Sequence, residues 1–127
     1  MRSYHALVFD EVIEGTTAVT SDPAYNAQLA MTEKIELFAV ADTVSGTTPT
    51  LTVQINESPD GVHWRNKNTT AEINAVSLST SANTLSVGLD SGTNLGSGLN
   101  RLSVTLGGTS PKAHIRIWAT GRGEVGG

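Results

Sequence analysis

Apolar and polar residues alternate one by one along much of the chain. In TLTVQINES, residues 50–58, Leu51, Val53 and Ile55 fall on one side, with Thr50, Thr52, Gln54 and Asn56 on the other. Successive side chains of a strand point to opposite faces, so this period of two predicts a strand with one face buried. The same period recurs in NTLSVGLD through Leu85, Val87 and Leu89, and in RLSVTLGG through Leu102, Val104 and Leu106. AHIRIWAT repeats it through Ala113, Ile115, Ile117 and Ala119. EKIELFAVADTV is apolar on both faces, with Ile35, Leu37, Ala39 and Ala41 set against Phe38, Val40 and Val44, which predicts a central strand covered on both sides. YHALVFDEVI reads as an opening strand and AEINAVSL as a weaker one.

Between these runs lie SGTTP, SPDG, STSAN, DSGTNLGSG and GGTSP, whose Gly, Pro, Ser and Asn mark turns and strand connections. Only AYNAQLAMTEK carries a pattern for a helical turn. Seven to eight short strands at this spacing predict an all-β antiparallel β-sandwich, jelly-roll-like or immunoglobulin-like, and the pattern does not separate the two topologies. Residues 1–120 are expected to form one domain. Residues 121–127, GRGEVGG, read as a flexible Gly-rich tail. Residues 14–30, EGTTAVTSDPAYNAQLA, have little strand or helix signal and few charges, and are expected to act as an arm.

Composition narrows the function classes. The chain has 127 residues, which suits a single domain able to bury about two-thirds of its unfolded surface. Without cysteine, neither disulfides nor thiolate metal sites are available. The first residues hold no apolar run of signal-peptide length, and nothing approaches a membrane span, so synthesis in the cytoplasm is expected. The sequons at Asn56 and Asn68 are then expected to go unused. A net charge of −4 without blocks of like charge argues against broad binding to nucleic acid or to anionic membrane. Only 16% of residues are charged while Gly, Ser, Thr and Asn abound, giving a polar, weakly charged surface suited to repeated packing against neighbours.

NESPDGVHWRNKN, residues 56–68, holds the richest mixture of side chains. Ser58 and Pro59 suit the first two positions of a type I turn, Asp60 can bond nearby amides, and Gly61 can take positive φ. This predicts a hairpin in which Val62 and Trp64 face the core while His63, Arg65 and Lys67 face solvent. Elsewhere the chemistry is sparse. His5, His63 and His114 lie on separate strands with no second ligand at metal spacing. The acids form no convincing pair, the serines lack a nucleophile elbow, and LDSGTNLGSG has neither a phosphate-loop ending nor alternating calcium ligands. No catalytic residue, cofactor or metal site is assigned, and an enzyme is not expected. In AHIRIWATG, burial of Ile115 and Ile117 turns His114, Arg116 and Trp118 outward, and Trp beside Arg is a pair enriched at interface hot spots. With Tyr25 and Leu29 of the arm, Arg116 and Trp118 form the candidate interface.

The hairpin LTVQINESPDGVHW followed by the last strand AHIRIWATGRGE resembles small β-sandwich proteins encoded among the virion structural genes of tailed bacteriophages, the capsid decoration (auxiliary head) proteins. The resemblance covers roughly residues 33–66 and 99–124, and no functional residue carries over. It implies a structural subunit present in many copies on the capsid surface of a virion. Its partners would be the major capsid protein and copies of itself in a homo-oligomer, with no direct contact to nucleic acid or membrane. The same hairpin pattern occurs in discoidin-like and carbohydrate-binding sandwiches. The second reading is therefore a carbohydrate-binding module with Trp118 or Trp64 stacked on a sugar ring. Such modules usually present several exposed aromatics, whereas this chain has two each of Phe, Trp and Tyr.

The strand pattern predicts a far-ultraviolet circular dichroism spectrum dominated by β-structure. A helix content above about a third, the average of globular domains, would overturn the sandwich.

Overall fold

The computed structural model describes the backbone of residues 2–21, 34–80, 86–94 and 99–123, and the side chains of residues 7–21, 36–80 and 99–120. The described strands are β1 (Arg2–Glu14), β2 (Val19–Thr20), β3 (Lys34–Ser58), β4 (Arg65–Asn66), β5 (Ile73–Ser77), β6 (Ser86–Asn94) and β7 (Leu99–Gly123). β3 and β7 are each 25 residues long and pair antiparallel throughout, from Lys34 opposite Arg122 to Ser58 opposite Leu99. Strands usually run about 5–6 residues, and a ribbon of this length must twist and bend. The register shifts three times between Asp42 and Thr50. On this stretch Thr43, Gly46 and Thr48 take φ of 50°, 112° and 47°, and on the facing strand Gly108 and Ser110 take 102° and 48°. Such left-handed residues interrupt the regular pleat, and together they make a corner that both strands turn side by side.

Each long strand therefore serves as two. Residues 34–42 of β3 and 113–123 of β7 lie between β1 and β6. Residues 50–58 and 99–107 lie between β2 on one side and β4 and β5 on the other. With β4 and β5 counted together as one, the described residues make eight strands in chain order, and the first pairs with the eighth, the second with the seventh, the third with the sixth and the fourth with the fifth. This nesting is that of a jelly roll, not of the immunoglobulin fold, whose sheets group the strands differently.

The alternating residues supply the reason to close. Leu51, Val53, Ile55, Leu102, Val104 and Leu106 from below the corner are fully buried. They share one cluster with Leu37, Ala39, Ala41, Ile115, Ile117 and Ala119 from above it, together with Phe9, Ile13 and Ile73. A lone sheet cannot remove one of its own faces from water, so the two halves cover each other. Each large aliphatic side chain buried this way contributes about 1.5–3 kcal/mol. Where the ladders falter, side chains complete them. The Ser21 amide donates to Leu102 O at 2.9 Å, and the Leu102 amide donates to Ser21 Oγ at 3.0 Å. Ala75, at φ 49°, turns its amide to Thr52 Oγ1, while Glu72 Oε2 accepts the Ile55 amide at 2.7 Å. The bonds to the Leu102 and Ile55 amides spare covered backbone groups from going unpaired.

Several boundaries differ from the sequence reading. SGTTP and GGTSP are bends within continuous strands, not chain reversals, because the residues that permit a reversal permit a corner equally well. β6 runs on to Asn94, through part of the stretch read as a connection. β7 continues to Gly123, so residues 121–123, expected in the tail, are strand, with Gly123 opposite Arg2 and Gly121 opposite Tyr4 and Ile35. Residues 124–127 lie outside the described residues, as does the expected helical turn apart from Lys34.

A Cβ at Gly108 would stand 2.6 Å from Thr48 O and 2.7 Å from Thr47 O, whereas one at Gly15, also at positive φ, would meet nothing within 4 Å. Gly15→Ala is expected to cost about 1 kcal/mol, from backbone strain alone. Gly108→Ala is expected to cost on the order of 3 kcal/mol, because the partner strand must also move. Chemical denaturation of the two variants measures the difference, and equal costs would mean the corner is not tightly packed.

Candidate functional site

Two surfaces bring functional side chains together, the hairpin loop between β3 and β4 and the outer face of the sheet above the corner. In the loop, buried Ser58 accepts the amides of Asp60 and Gly61 on its Oγ, at 3.2 and 2.8 Å, and donates to Asp60 Oδ1 at 3.0 Å. Asp60 Oδ1 also accepts the amides of Val62 and His63, both at 2.9 Å, while Oδ2 stands 2.6 Å from His63 Nδ1. The His63 amide, then the His63 ring and the Val62 amide, hold the Asp60 carboxyl well below its ordinary value, with Ser58 adding to them against a small effect of burial. Gly61 sits at φ 80°. Ser58, Asp60 and His63 do not form a nucleophilic triad. Ser58 Oγ is committed to Asp60 and two amides, and nothing joins it to the imidazole.

Trp64 is not in the core, contrary to the alternation read from the sequence. Val62 is 74% exposed, and Trp64 is half-buried at the surface, with Nε1–H donating to Gly61 O at 3.2 Å. The Arg101 guanidinium lies over the indole, 4.3 Å from its centre. β4 is only two residues long and starts after Trp64, so no strand pleat directs these side chains inward. Arg101 Nε donates to Asn56 Oδ1 at 3.1 Å, and Asn56 Nδ2 donates to Asn66 Oδ1 at 2.8 Å. Arg65, exposed as expected, and Lys67, expected exposed but mostly covered, both pair with Glu57, at 2.9 and 3.4 Å. Burial raises the Glu57 carboxyl, but the Arg65 hydrogen bond and the charges of Lys67 and Arg65 outweigh it and leave it below the ordinary value. An open groove of about 400 Å³ is bordered by Glu57, Ser58, Pro59, His63, Trp64 and Arg65.

On the sheet above the corner, Arg116 and Trp118 alternate with buried Ile115 and Ile117 and point outward, half-buried. His114 lies between two strands, with Nε2 2.5 Å from Asp10 of β1 and Nδ1 3.2 Å from Asp42 of β3. Arg116 Nη2 completes the row, 2.7 Å from Asp42 Oδ2. Phe38 is the register partner of Trp118 and is 41% exposed, so the expected cover on both sides of this strand fails at Phe38 although Val40 is buried. Tyr25 and Leu29 lie outside the described residues. Sequence reasoning missed the row from Asp10 to Arg116 because its members come from three strands far apart in the chain. Phe38 was visible only as apolar alternation. Among the described residues, no group of three or more His, Asp or Glu is arranged to hold a metal ion.

No protein-family model matches the sequence, and no curated protein does. Among solved structures, a chain in the structure of infectious bursal disease virus, Gx strain, is similar, with a TM-score of 0.53 and 17% identity. The match covers 97% of this chain and 32% of that one, so this chain spans about a third of its neighbour's length. At that identity the likeness is one of fold alone, an antiparallel all-β sandwich. This likeness lends no support to the finer resemblance to bacteriophage decoration proteins.

The depressed Asp60 carboxyl stabilises the folded loop fully above its ordinary value of 3.8, and that stabilisation is lost as the pH falls below 3.8 towards the folded value. Trp64 fluorescence is expected to change in this acid window, and the change is expected to disappear in Asp60→Asn, which keeps an acceptor but does not titrate. A transition centred near neutral pH would assign it to another group. Gly61→Val is expected to cost about 1–2 kcal/mol in chemical denaturation, since a β-branched residue is strained at positive φ.

Proposed function

We propose that this protein is a virion structural subunit, a capsid decoration protein of the kind found on tailed bacteriophages, with no catalytic role. The observation that carries the reading is the fold likeness of nearly the whole chain to part of a chain in a virus structure. The hairpin and last-strand resemblance supports the finer assignment to decoration. Its partners are the major capsid protein and neighbouring copies of itself, and its place is the capsid surface.

The outer sheet face suits such docking. Phe38 and Trp118 offer apolar area beside a charge row that is already paired within the chain. Covering that row would leave Arg116 and Asp42 paired with each other, which avoids the costly case of a lone buried charge. A hot-spot aromatic flanked by such groups anchors a contact while the polar rim excludes water. By sequence, Tyr25 and Leu29 extend the same docking role.

The experiment is cosedimentation with capsids that lack the protein. Trp118→Ala and Phe38→Ser are each expected to lower occupancy about thirtyfold, from roughly 2 kcal/mol lost per anchor, with melting unchanged. Unchanged occupancy for both variants would place the contact on another surface.

A further inference from the structure

We infer that the groove at the β3–β4 hairpin is a binding site for an acidic saccharide, a sugar ring bearing a carboxylate. The inference does not depend on the capsid role, since docking there is assigned to a different face of the sandwich. Its first support is that the groove's side chains are held in place before any ligand arrives. Asp60 fixes the His63 ring at 2.6 Å, Glu57 holds Arg65 at 2.9 Å, and Trp64 is pinned between Gly61 O and the Arg101 guanidinium. A ligand that meets a preorganised rim loses less binding energy to ordering it.

The second support is what remains unused. Both oxygens of Asp60 and both of Glu57 are bonded within the chain, so the carboxylates offer little to an incoming donor. Arg65 keeps guanidinium N–H groups beyond those aimed at Glu57, and His63 turns Nε2 away from Asp60. The two side chains are 81% and 83% exposed. The one carboxylate lining the groove, Glu57, is occupied by Arg65 and Lys67, so what the rim turns outward is N–H donors. This donor-rich rim selects an anionic acceptor, and a guanidinium binds a carboxylate through two parallel bonds.

The third support is shape. The groove, at about 400 Å³, falls within the size range of small-ligand sites, and Trp64 with Pro59 gives it a flat apolar wall for the C–H face of a sugar ring. An acidic peptide is the competing ligand. Peptides that add to a sheet need a long free strand edge, and β4 offers two residues.

The test is an NMR titration of the intact chain with sialyllactose and with a galacturonic acid trimer, against lactose, acetate and hexaglutamate. Expected is a saturable shift of the Trp64 indole N–H with at least one acidic sugar, at least about tenfold tighter than with lactose or acetate. Response to sialyllactose alone identifies a sialic-type acid, and response to the trimer alone a uronate. Arg65→Gln, at an exposed position, is expected to keep the spectrum of the folded core and to weaken binding about tenfold, the loss of one charge-assisted contact. The inference is overturned if neither acidic sugar gives a saturable shift, if lactose or acetate binds equally well, if hexaglutamate binds instead, or if Arg65→Gln binds as tightly as the native chain.

Discussion

Both long strands must turn the corner together, because each supplies the other's hydrogen-bond partners along its whole length. If only one bent, the amides and carbonyls of the other would face nothing, and each buried group left unpaired costs about 1–3 kcal/mol. The positive-φ residues therefore occur in matched sets, Thr43, Gly46 and Thr48 on β3 and Gly108 and Ser110 on β7. Once the ribbon is folded, its halves form the middle of two sheets and their inward faces meet. The shorter strands then add to edges that already exist. The turn from β1 to β2 is drawn to the same place, where the Gly15 amide donates to Pro111 O at 2.8 Å.

Local patterning foretold which residues would be buried far better than which strands would pair. Leu51, Val53, Ile55, Leu102, Val104, Leu106, Ile115 and Ile117 were readable because a period of two is written in consecutive residues, and all of them are buried. The corner was misread as two reversals because glycine and threonine at positive φ serve both purposes. Jelly roll and immunoglobulin topologies were indistinguishable because register joins residues such as Lys34 and Arg122, whose partnership leaves no local mark. The candidate sites divide in the same way. The hairpin loop is built from near neighbours, so its turn chemistry was legible from Ser58 to Gly61. Trp64 was misplaced because alternation was extended past the turn into a stretch that is not strand. Asp10, Asp42 and His114 meet only through pairing, and nothing along the chain announces them.

The two surfaces solve different problems with the same side-chain types. On the sheet, side chains bridge β1, β7 and β3, so the row ties the three strands together. In the loop, acids are spent on amides and on neighbouring cations, which fixes the backbone and leaves cationic donors outward. A pleated sheet supplies a broad flat area, whereas a tight turn supplies a small concave one. A jelly roll therefore carries both without either disturbing the core.

The pairing of Arg2 with Gly123 has a topological consequence. The chain enters and leaves the sandwich on adjacent strands, separated by about 5 Å, the ordinary spacing within a sheet. A unit joined to its surroundings through such neighbouring ends can be spliced into a loop of a larger polypeptide without prising that loop open. The host would grip it at one pole. The corner would then be the far pole, roughly 30 Å away at about 3.3 Å for each residue from 34 to 42.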